Sequence, residues 1–298
     1  MKILIIGYGS IGKKHAEIIK KNFKFVELFI LSRRKIKKKG LKFIHKKQDI
    51  RKINPSYVII SSETNKHFSD LKYLENNFKN INILVEKPLF EKKRKIQIKN
   101  NKVFIGYNLR LHPLIIFLKK YIKKNQPIDI KMITNTFLPN WRKRSYLTNY
   151  AMNKKMGGGV ILDLSHEIDL ASWLFGKIKI NYLSYGKFSN LKVKTEDSLK
   201  LLGTIKKSNF FLDLSYFSKN EIRKIYLDTK NNSLIIDLKE NTLRINSKIK
   251  KIISKKYKTD FTYLNLHKAI IFKKNLKNIC TFNEGKEIIN LIEKIKKR

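Results

Sequence analysis

What the chain has little of narrows it first. Among 298 residues there is one cysteine, Cys280, and there are only 23 acidic side chains against 67 lysines and arginines, a net charge of +44. A single cysteine excludes an internal disulfide framework and a cysteine-rich metal cluster. No apolar run approaches the roughly 18 residues that announce a membrane-spanning helix. The opening run, Ile3 to Ile6, stops at a glycine and is too short for the core of a signal peptide, so a cytoplasmic protein without a membrane span is expected. Internal repeats and low-complexity domains are missing too, apart from the lysine bias itself. Excess positive charge of this size raises a polyanion partner, nucleic acid or an anionic membrane surface. Yet the lysines are scattered along the whole chain as KK and KKK runs, and no zinc-finger, RNP-like or basic-zipper pattern accompanies them. Lys, Ile and Asn share A- and U-rich codons, and a biased genome explains the composition more simply. Salt-sensitive, non-specific contact with polyanions follows from the charge, but no specific nucleic-acid partner is expected.

What is present reads as globular. With 42% hydrophobic residues, the chain is long enough for two domains, each with its own core. Residues 2–6, KILII, form a short β-branched run that reads as a buried strand. GYGSIG follows directly (Gly7, Tyr8, Gly9, Ser10, Ile11, Gly12), and then the helical run KKHAEIIKK. A G-x-G-x-x-G between a strand and a helix is the dinucleotide-binding arrangement: the first glycine makes the tight turn, the second lets backbone approach a pyrophosphate, and the third allows helix and strand to pack closely. The helix N-terminus offers free N–H groups and a favourable dipole to the phosphates.

A second strand is expected over Val26–Leu31. A fold selecting NAD usually places Asp or Glu at that point, about 20 residues past the glycines, on the ribose 2′-hydroxyl. Here the chain has Ser32-Arg33-Arg34. A hydroxyl and two guanidinium groups suit a 2′-phosphate, so NADP(H) is favoured over NAD(H). Residues 57–62, YVIISS, read as another buried strand whose end, Ser61 and Ser62, lies at the carboxyl edge where open α/β sheets bind ligands. The helix after it carries Asn65 and His67, and His67 reads as a packed, hydrogen-bonded residue rather than a catalytic one. Strand 81–85 ends in Glu86-Lys87-Pro88; among 298 residues so rich in lysine, Lys87 is singled out because an acid and a proline restrict its direction. Strand 103–105 closes on Gly106 and the segment YNLRLHP.

The second half is organised around GGGVILDLSHEIDLASWLFG, Gly157 to Gly176. Asp163, His166 and Asp169 fall at steps of three in a run of helical period, so one helix is expected to carry them along one side. A histidine flanked by carboxylates moves protons near neutral pH. A transition metal has no second histidine nearby, and no metal is assigned. Ahead of the glycines stand Trp141, Arg142, Tyr146 and Tyr150, side chains suited to sugar hydroxyls and carboxylates or, alternatively, to packing. Residues 114–124 read as an amphipathic helix, 128–137 as a strand, 178–245 as an antiparallel meander with one wet face, and the end as an amphipathic helix with apolar positions 288, 289, 291, 292 and 295.

Taken in order, GYGSIGKKH, SETNKH, VEKPL, GYNLRLHP, LPNWR and GGGVILDLSHEID with WLFG resemble the Gfo/Idh/MocA oxidoreductases; these segments span residues 1–176. The resemblance implies an α/β protein. An N-terminal Rossmann domain with a parallel sheet (1–113) would precede a C-terminal α+β domain with a large, mostly antiparallel open sheet (114–298), through which such proteins form homo-oligomers. It implies that Lys87 lies near the nicotinamide and the reacting carbon, that Asp163 and His166 act on a substrate hydroxyl, and that Glu86, Asn65 and His67 join the cofactor contacts. Asn108, Arg110 and Asp169 join Trp141, Arg142, Tyr146 and Tyr150 as substrate contacts. Two departures stand out. Many members space the Asp and His four apart rather than three, and the link from Pro88 to Gly106 has room for little more than two helical turns. The LPNWR and DLSHEID variants are similar to those of members found with bacterial surface-sugar biosynthesis. An NADP(H)-dependent oxidoreductase acting on a hydroxyl or ketone of a sugar or sugar-nucleotide is therefore expected, with a non-catalytic dinucleotide-binding sensor or partner subunit as the alternative.

Overall fold

The computed structural model describes residues 1–34, 36, 38–141, 146, 157–253 and 260–297. They form two compact units, one of residues 1–111 and 258–289, the other of 112–257 and 290–298. The continuous division at 113/114 expected from sequence leaves out the return of 258–289 to the first unit.

Along the chain, the first unit opens with β1 (Lys2–Ile6), α1 (Ser10–Asn22), β2 (Glu27–Leu31), β3 (Lys42–Ile44), α2 (Ile50–Ile53), β4 (Tyr57–Ile60), α3 (Thr64–Asn77), β5 (Asn82–Val85) and β6 (Lys102–Ile105). The second holds α4 (Pro113–Tyr121), β7 (Pro127–Phe137), α5 (Val160–Asp163), α6 (Ser165–Phe175), β8 (Ile178–Gly186), β9 (Ser198–Ile205), β10 (Ser208–Ser215), β11 (Phe217–Thr229), β12 (Ser233–Asp237), β13 (Thr242–Ile245) and β14 (Lys248–Ile252). The chain closes with α7 (Asp260–Ile271), β15 (Cys280–Thr281) and α8 (Phe282–Lys296).

The first sheet has the order β15-β6-β5-β4-β1-β2-β3 and is parallel except for β15. This is the doubly wound order, with its switch point between β1 and β4, where a crevice opens outside the carboxyl ends of the strands. Register places Ile3–Ile6 against Leu28–Leu31 on one side and Tyr57–Ile60 on the other. Helices on both faces explain why these strands read as unbroken apolar runs. On one face α1 and α7 pack together, Ala16 and Ile19 in a buried cluster with Leu266, Ala269 and Ile270. Residues 89–101, the short link noted in the sequence, carry no helix.

The second sheet has eight strands, β14-β13-β12-β11-β7-β10-β9-β8. All neighbours are antiparallel except β7 and β10. It is not the simple meander that the alternating runs suggest, because β7, far earlier in the chain, inserts between β10 and β11. The turn between β11 and β12 is closed at its ends: the Thr229 hydroxyl donates to the Asn232 carbonyl (2.9 Å) and accepts from its N–H (3.1 Å). In α8, Ile288, Ile289, Ile292 and Ile295 are buried as the amphipathic pattern predicts, and Leu291 is half-buried. Among the described residues no helix is long and apolar enough to cross a membrane.

Candidate active site

The glycine turn after β1 is built by steric necessity. Gly7 has φ +94°, and a Cβ there would lie 2.7 Å from the Ser62 nitrogen. A Cβ on Gly12 would lie 2.2 Å from the Gly7 carbonyl oxygen and 2.8 Å from Ser61 Oγ. Gly9 differs: nothing lies within 4 Å of a Cβ built on it. It precedes the first turn of α1, and its side supplies no cap to the helix N–H groups. A close-packed turn with one open glycine at an uncapped helix N-terminus fits a pyrophosphate. Ser61 serves the turn itself, its hydroxyl donating to the Gly7 carbonyl (3.0 Å) and the Ile6 carbonyl (3.2 Å). Ser62 donates to Asp70 (2.7 Å), which also pairs with Lys47. His67 sits buried between the Pro88 and Ser62 carbonyls at 3.0 and 3.1 Å, tying two loops at the carboxyl edge together. Asn65 is exposed in the first turn of α3.

At the end of β2, Ser32 is buried, its hydroxyl accepts from Arg34 N–H (3.2 Å), and its carbonyl faces His45 Nδ1 at 2.7 Å. Arg33 and Arg34 are exposed. The buried Tyr8 ring meets Phe43 edge to face at 5.4 Å. Phe43 and His45 also line an open cleft of about 590 Å³, with Ile36, Leu41, Lys38 and Lys39.

Glu86 follows β5 and is 3% exposed. One carboxylate oxygen is held by His15 Nε2 at 2.9 Å, and the other accepts from the Lys87 backbone N–H at 3.3 Å. Gly106 gives Glu86 its space, since a Cβ there would fall 2.7 Å from Glu86 Oε1. Lys87, half-buried, precedes Pro88 through a cis peptide bond. Asn108 and Arg110 are buried in this unit: Asn108 donates to Thr262 (2.6 Å), and Arg110 pairs with Glu284 (2.8 Å).

In the second unit, the expected single helix is two. α5 ends at Asp163, Leu164 leaves helical geometry at φ −96°, ψ 23°, and α6 begins at Ser165. Asp163 and His166 therefore do not share a continuous helical face, and the three-residue step does not stack them; His166 and Asp169 do lie on one helix. Gly159, at φ +119°, starts α5, and a Cβ on it would collide with the Glu196 carboxylate at 2.4 Å. Asp163, His166 and Asp169 are all buried. Asp163 Oδ2 accepts from the Tyr216 hydroxyl at 2.5 Å, and Tyr216 is packed edge-on by Trp141 at 5.3 Å. Glu167, neighbour of His166, accepts from Arg223 at 2.5 Å. The hydroxyl of Tyr146 accepts from the Lys192 N–H at 3.3 Å. Arg142 and Tyr150 lie outside the described residues.

Sequence reasoning missed His15, Tyr216, Glu167 and Arg223. Glu167 stands inside the motif and was findable there. Tyr216 sits in an ordinary alternating strand run, which gives no local sign of its partner.

Comparison with known proteins places these features in a family. The profile for the oxidoreductase family's NAD-binding Rossmann fold matches residues 1–98, and that for the family's C-terminal α/β domain matches residues 119–226. No curated protein matches the chain by sequence. Among solved structures, the chain is similar to the WlbA dehydrogenase from Bordetella pertussis in complex with NADH and UDP-GlcNAcA (14% identity, TM-score 0.78, covering 100% of this chain and 95% of that one). It is similar to UDP-N-acetylglucosamine 3-dehydrogenase GnnA from Acidithiobacillus ferrooxidans (15%, 0.73, 99% and 96%). It is also similar to levoglucosan dehydrogenase in complex with NADH (13%, 0.81, 100% and 96%). At such identities the likeness is one of fold.

Proposed function

Because this chain belongs to the Gfo/Idh/MocA family of oxidoreductases, with an NAD-binding Rossmann domain, we propose that it is a sugar or sugar-nucleotide dehydrogenase that prefers NADP(H). The observation that carries this reading is the turn Gly7–Gly12, closed by sterics at Gly7 and Gly12 and open at Gly9. The preference for NADP(H) rests on the end of β2, where Ser32, Arg33 and Arg34 replace a carboxylate, and on Lys38, Lys39 and His45 in the adjoining cleft. The substrate class rests on the UDP-GlcNAcA bound in the similar WlbA structure and on the other two similar structures being a UDP-N-acetylglucosamine 3-dehydrogenase and a levoglucosan dehydrogenase.

The nicotinamide supplies the chemistry of taking up or giving back a hydride. The chain supplies the rest. The first unit binds the dinucleotide through Gly7–Gly12, with backbone N–H groups of α1 toward the phosphates. His166 takes the proton of the substrate hydroxyl as general base. Asp163, engaged by Tyr216, and Asp169, on the helix of His166, supply the negative charge that favours the imidazolium once formed. Lys87 stabilises charge on the substrate oxygen as it becomes a carbonyl. Homo-oligomers would form through the eight-stranded sheet, where the cross-strand pair Tyr182 and Leu202 is 74% and 50% exposed.

Fluorescence titration with NADPH and NADH, at moderate salt to suppress non-specific binding to the basic surface, tests the cofactor. Micromolar NADPH with much weaker NADH is expected, and the reverse order discards the preference. Lys87→Ala and His166→Ala should each lose about 10²–10⁴-fold in turnover of a UDP-sugar while still binding cofactor. Near-normal turnover in both would sink the mechanism, and a wild type that binds cofactor but turns over no sugar would favour the non-catalytic sensor.

A further inference from the structure

Inside the first unit four titratable side chains lie in line. Tyr57 on β4 meets His267 Nδ1 on α7 at 3.1 Å, His267 Nε2 meets His15 Nδ1 on α1 at 2.9 Å, and His15 Nε2 meets Glu86 Oε1 after β5 at 2.9 Å. Tyr57, His267 and His15 are 0% exposed and Glu86 3%. The line is flanked by Tyr263, edge-on to His15 at 5.2 Å. Outside it lies Lys14, 5.3 Å from the Tyr263 ring and paired with Asp260 at 2.9 Å.

Donor and acceptor counting gives this line a direction. A neutral imidazole has one donor and one acceptor nitrogen. The carboxylate at the end only accepts, so His15 carries its proton on Nε2 and accepts at Nδ1. His267 must then donate from Nε2 and accept at Nδ1, from the Tyr57 hydroxyl. Three protons make three hydrogen bonds, and the one net charge sits on Glu86. Running the line backwards puts a proton on Glu86 and makes His267 donate to Tyr57, whose own proton is then left over. Charge on His267 or Tyr57 is disfavoured: burial, then the neighbouring His15, holds His267 well below the ordinary imidazole range, and burial, then Glu86, holds Tyr57 well above the phenol range. An imidazolium at His15 would donate from both nitrogens, turn His267 round to donate to Tyr57, and again leave the Tyr57 proton over.

We propose that Tyr57, His267 and His15 are positioning residues, a one-way donor chain that holds Glu86 as an oriented carboxylate and, through the bond that Glu86 accepts from the Lys87 N–H, sets the direction of the reactive lysine. The role of Lys87 rests on the function proposed above; the chain itself does not.

The direction is tested by ¹⁵N NMR of histidine-labelled protein. Both His15 and His267 should be neutral Nε2–H tautomers at pH 7, and an Nδ1–H tautomer or an imidazolium at either overturns the chain. Positioning is tested by competitive acylation of Lys87, read by mass spectrometry, which needs no substrate. His267→Gln keeps an acceptor and a donor at similar separation, and Lys87 should keep its reactivity. His267→Leu removes both, and Lys87 should change by about fivefold or more relative to surface lysines, while kcat falls about 10- to 100-fold with the Kd for cofactor unchanged. Tyr57→Phe, which keeps the packing if the leucine variant fails to fold, should shift Lys87 the same way by about threefold. Unchanged Lys87 reactivity in His267→Leu, or in Tyr57→Phe, overturns the proposal. If the wild type turns over no sugar, the reaction is wrong, and the tautomers and Lys87 labelling still judge the chain.

Discussion

Two alanine substitutions in one turn should behave oppositely. Gly9 has φ −78° and ψ −163°, extended backbone that alanine adopts, and its Cβ would enter empty space. Replacing glycine where the backbone is compatible stabilises by about 0.4–1 kcal/mol through the unfolded chain. Alanine is the poorer residue ahead of a helix, by an amount of the same order, about 0.5–1 kcal/mol. The two offset, so Gly9→Ala should melt near the wild type. Its effect should fall on the ligand: a methyl group where backbone should meet pyrophosphate adds overpacking of about 1–3 kcal/mol, or roughly 5- to 150-fold in Kd.

Gly12→Ala is the reverse case. Its Cβ would sit 2.2 Å from the Gly7 carbonyl oxygen and 3.1 Å from the Gly7 carbonyl carbon, backbone atoms of the same turn. The strand and helix must separate to admit it, at a cost of about 1–3 kcal/mol or more, seen as a Tm lower by several degrees. Thermal melts and NADPH titrations of both variants decide the matter. Wild-type affinity in Gly9→Ala would refute the claim that the phosphates cross that glycine. A wild-type Tm in Gly12→Ala would refute the packing of the turn.

Tyr216→Phe removes the hydroxyl that Asp163 accepts at 2.5 Å in a site 3% exposed, and should destabilise by about 1.5–3 kcal/mol and lower turnover; urea unfolding and turnover both equal to wild type would contradict the placement of Asp163. Glu284 gives a pH signature. Burial alone would raise its pKa, but the Arg110 guanidinium and the Thr281 N–H outweigh this and lower it below the ordinary value of 4.5. A lowered folded pKa means stability that is present above the unfolded value and lost as pH falls through the folded one. Glu284→Gln, which keeps the Thr281 capping pair, should therefore be less stable than wild type at pH 6 and lose that deficit as pH falls below about 4.5. A deficit independent of pH in urea titrations would remove the ion pair from the account.

Much of the cofactor half was legible before folding. β1, the glycine turn, α1 and the Glu86-Lys87-Pro88 segment are marked by residue types at short spacing, so the sequence reports them even though Ser61, Ser62 and His15 complete their packing from far along the chain. The eight-stranded sheet was legible as alternating runs, but not its order, because alternation tells which face a residue takes and not which strand lies beside it.

By itself, then, the sequence determined the strand–glycine–helix unit and marked out the Glu86-Lys87-Pro88 segment and the apolar run that carries Asp163, His166 and Asp169. Tertiary structure alone decided what surrounds them. It broke the expected helix at Leu164, set Tyr216 on Asp163, inserted β7 between β10 and β11, and returned α7 to the first sheet. His15 and His267 stand 252 residues apart and meet at 2.9 Å. No periodicity within a helix or strand encodes such a contact. It exists only because closing that long loop buries enough apolar surface, Ala16 and Ile19 against Leu266 and Ile270, to offset the entropy of closure.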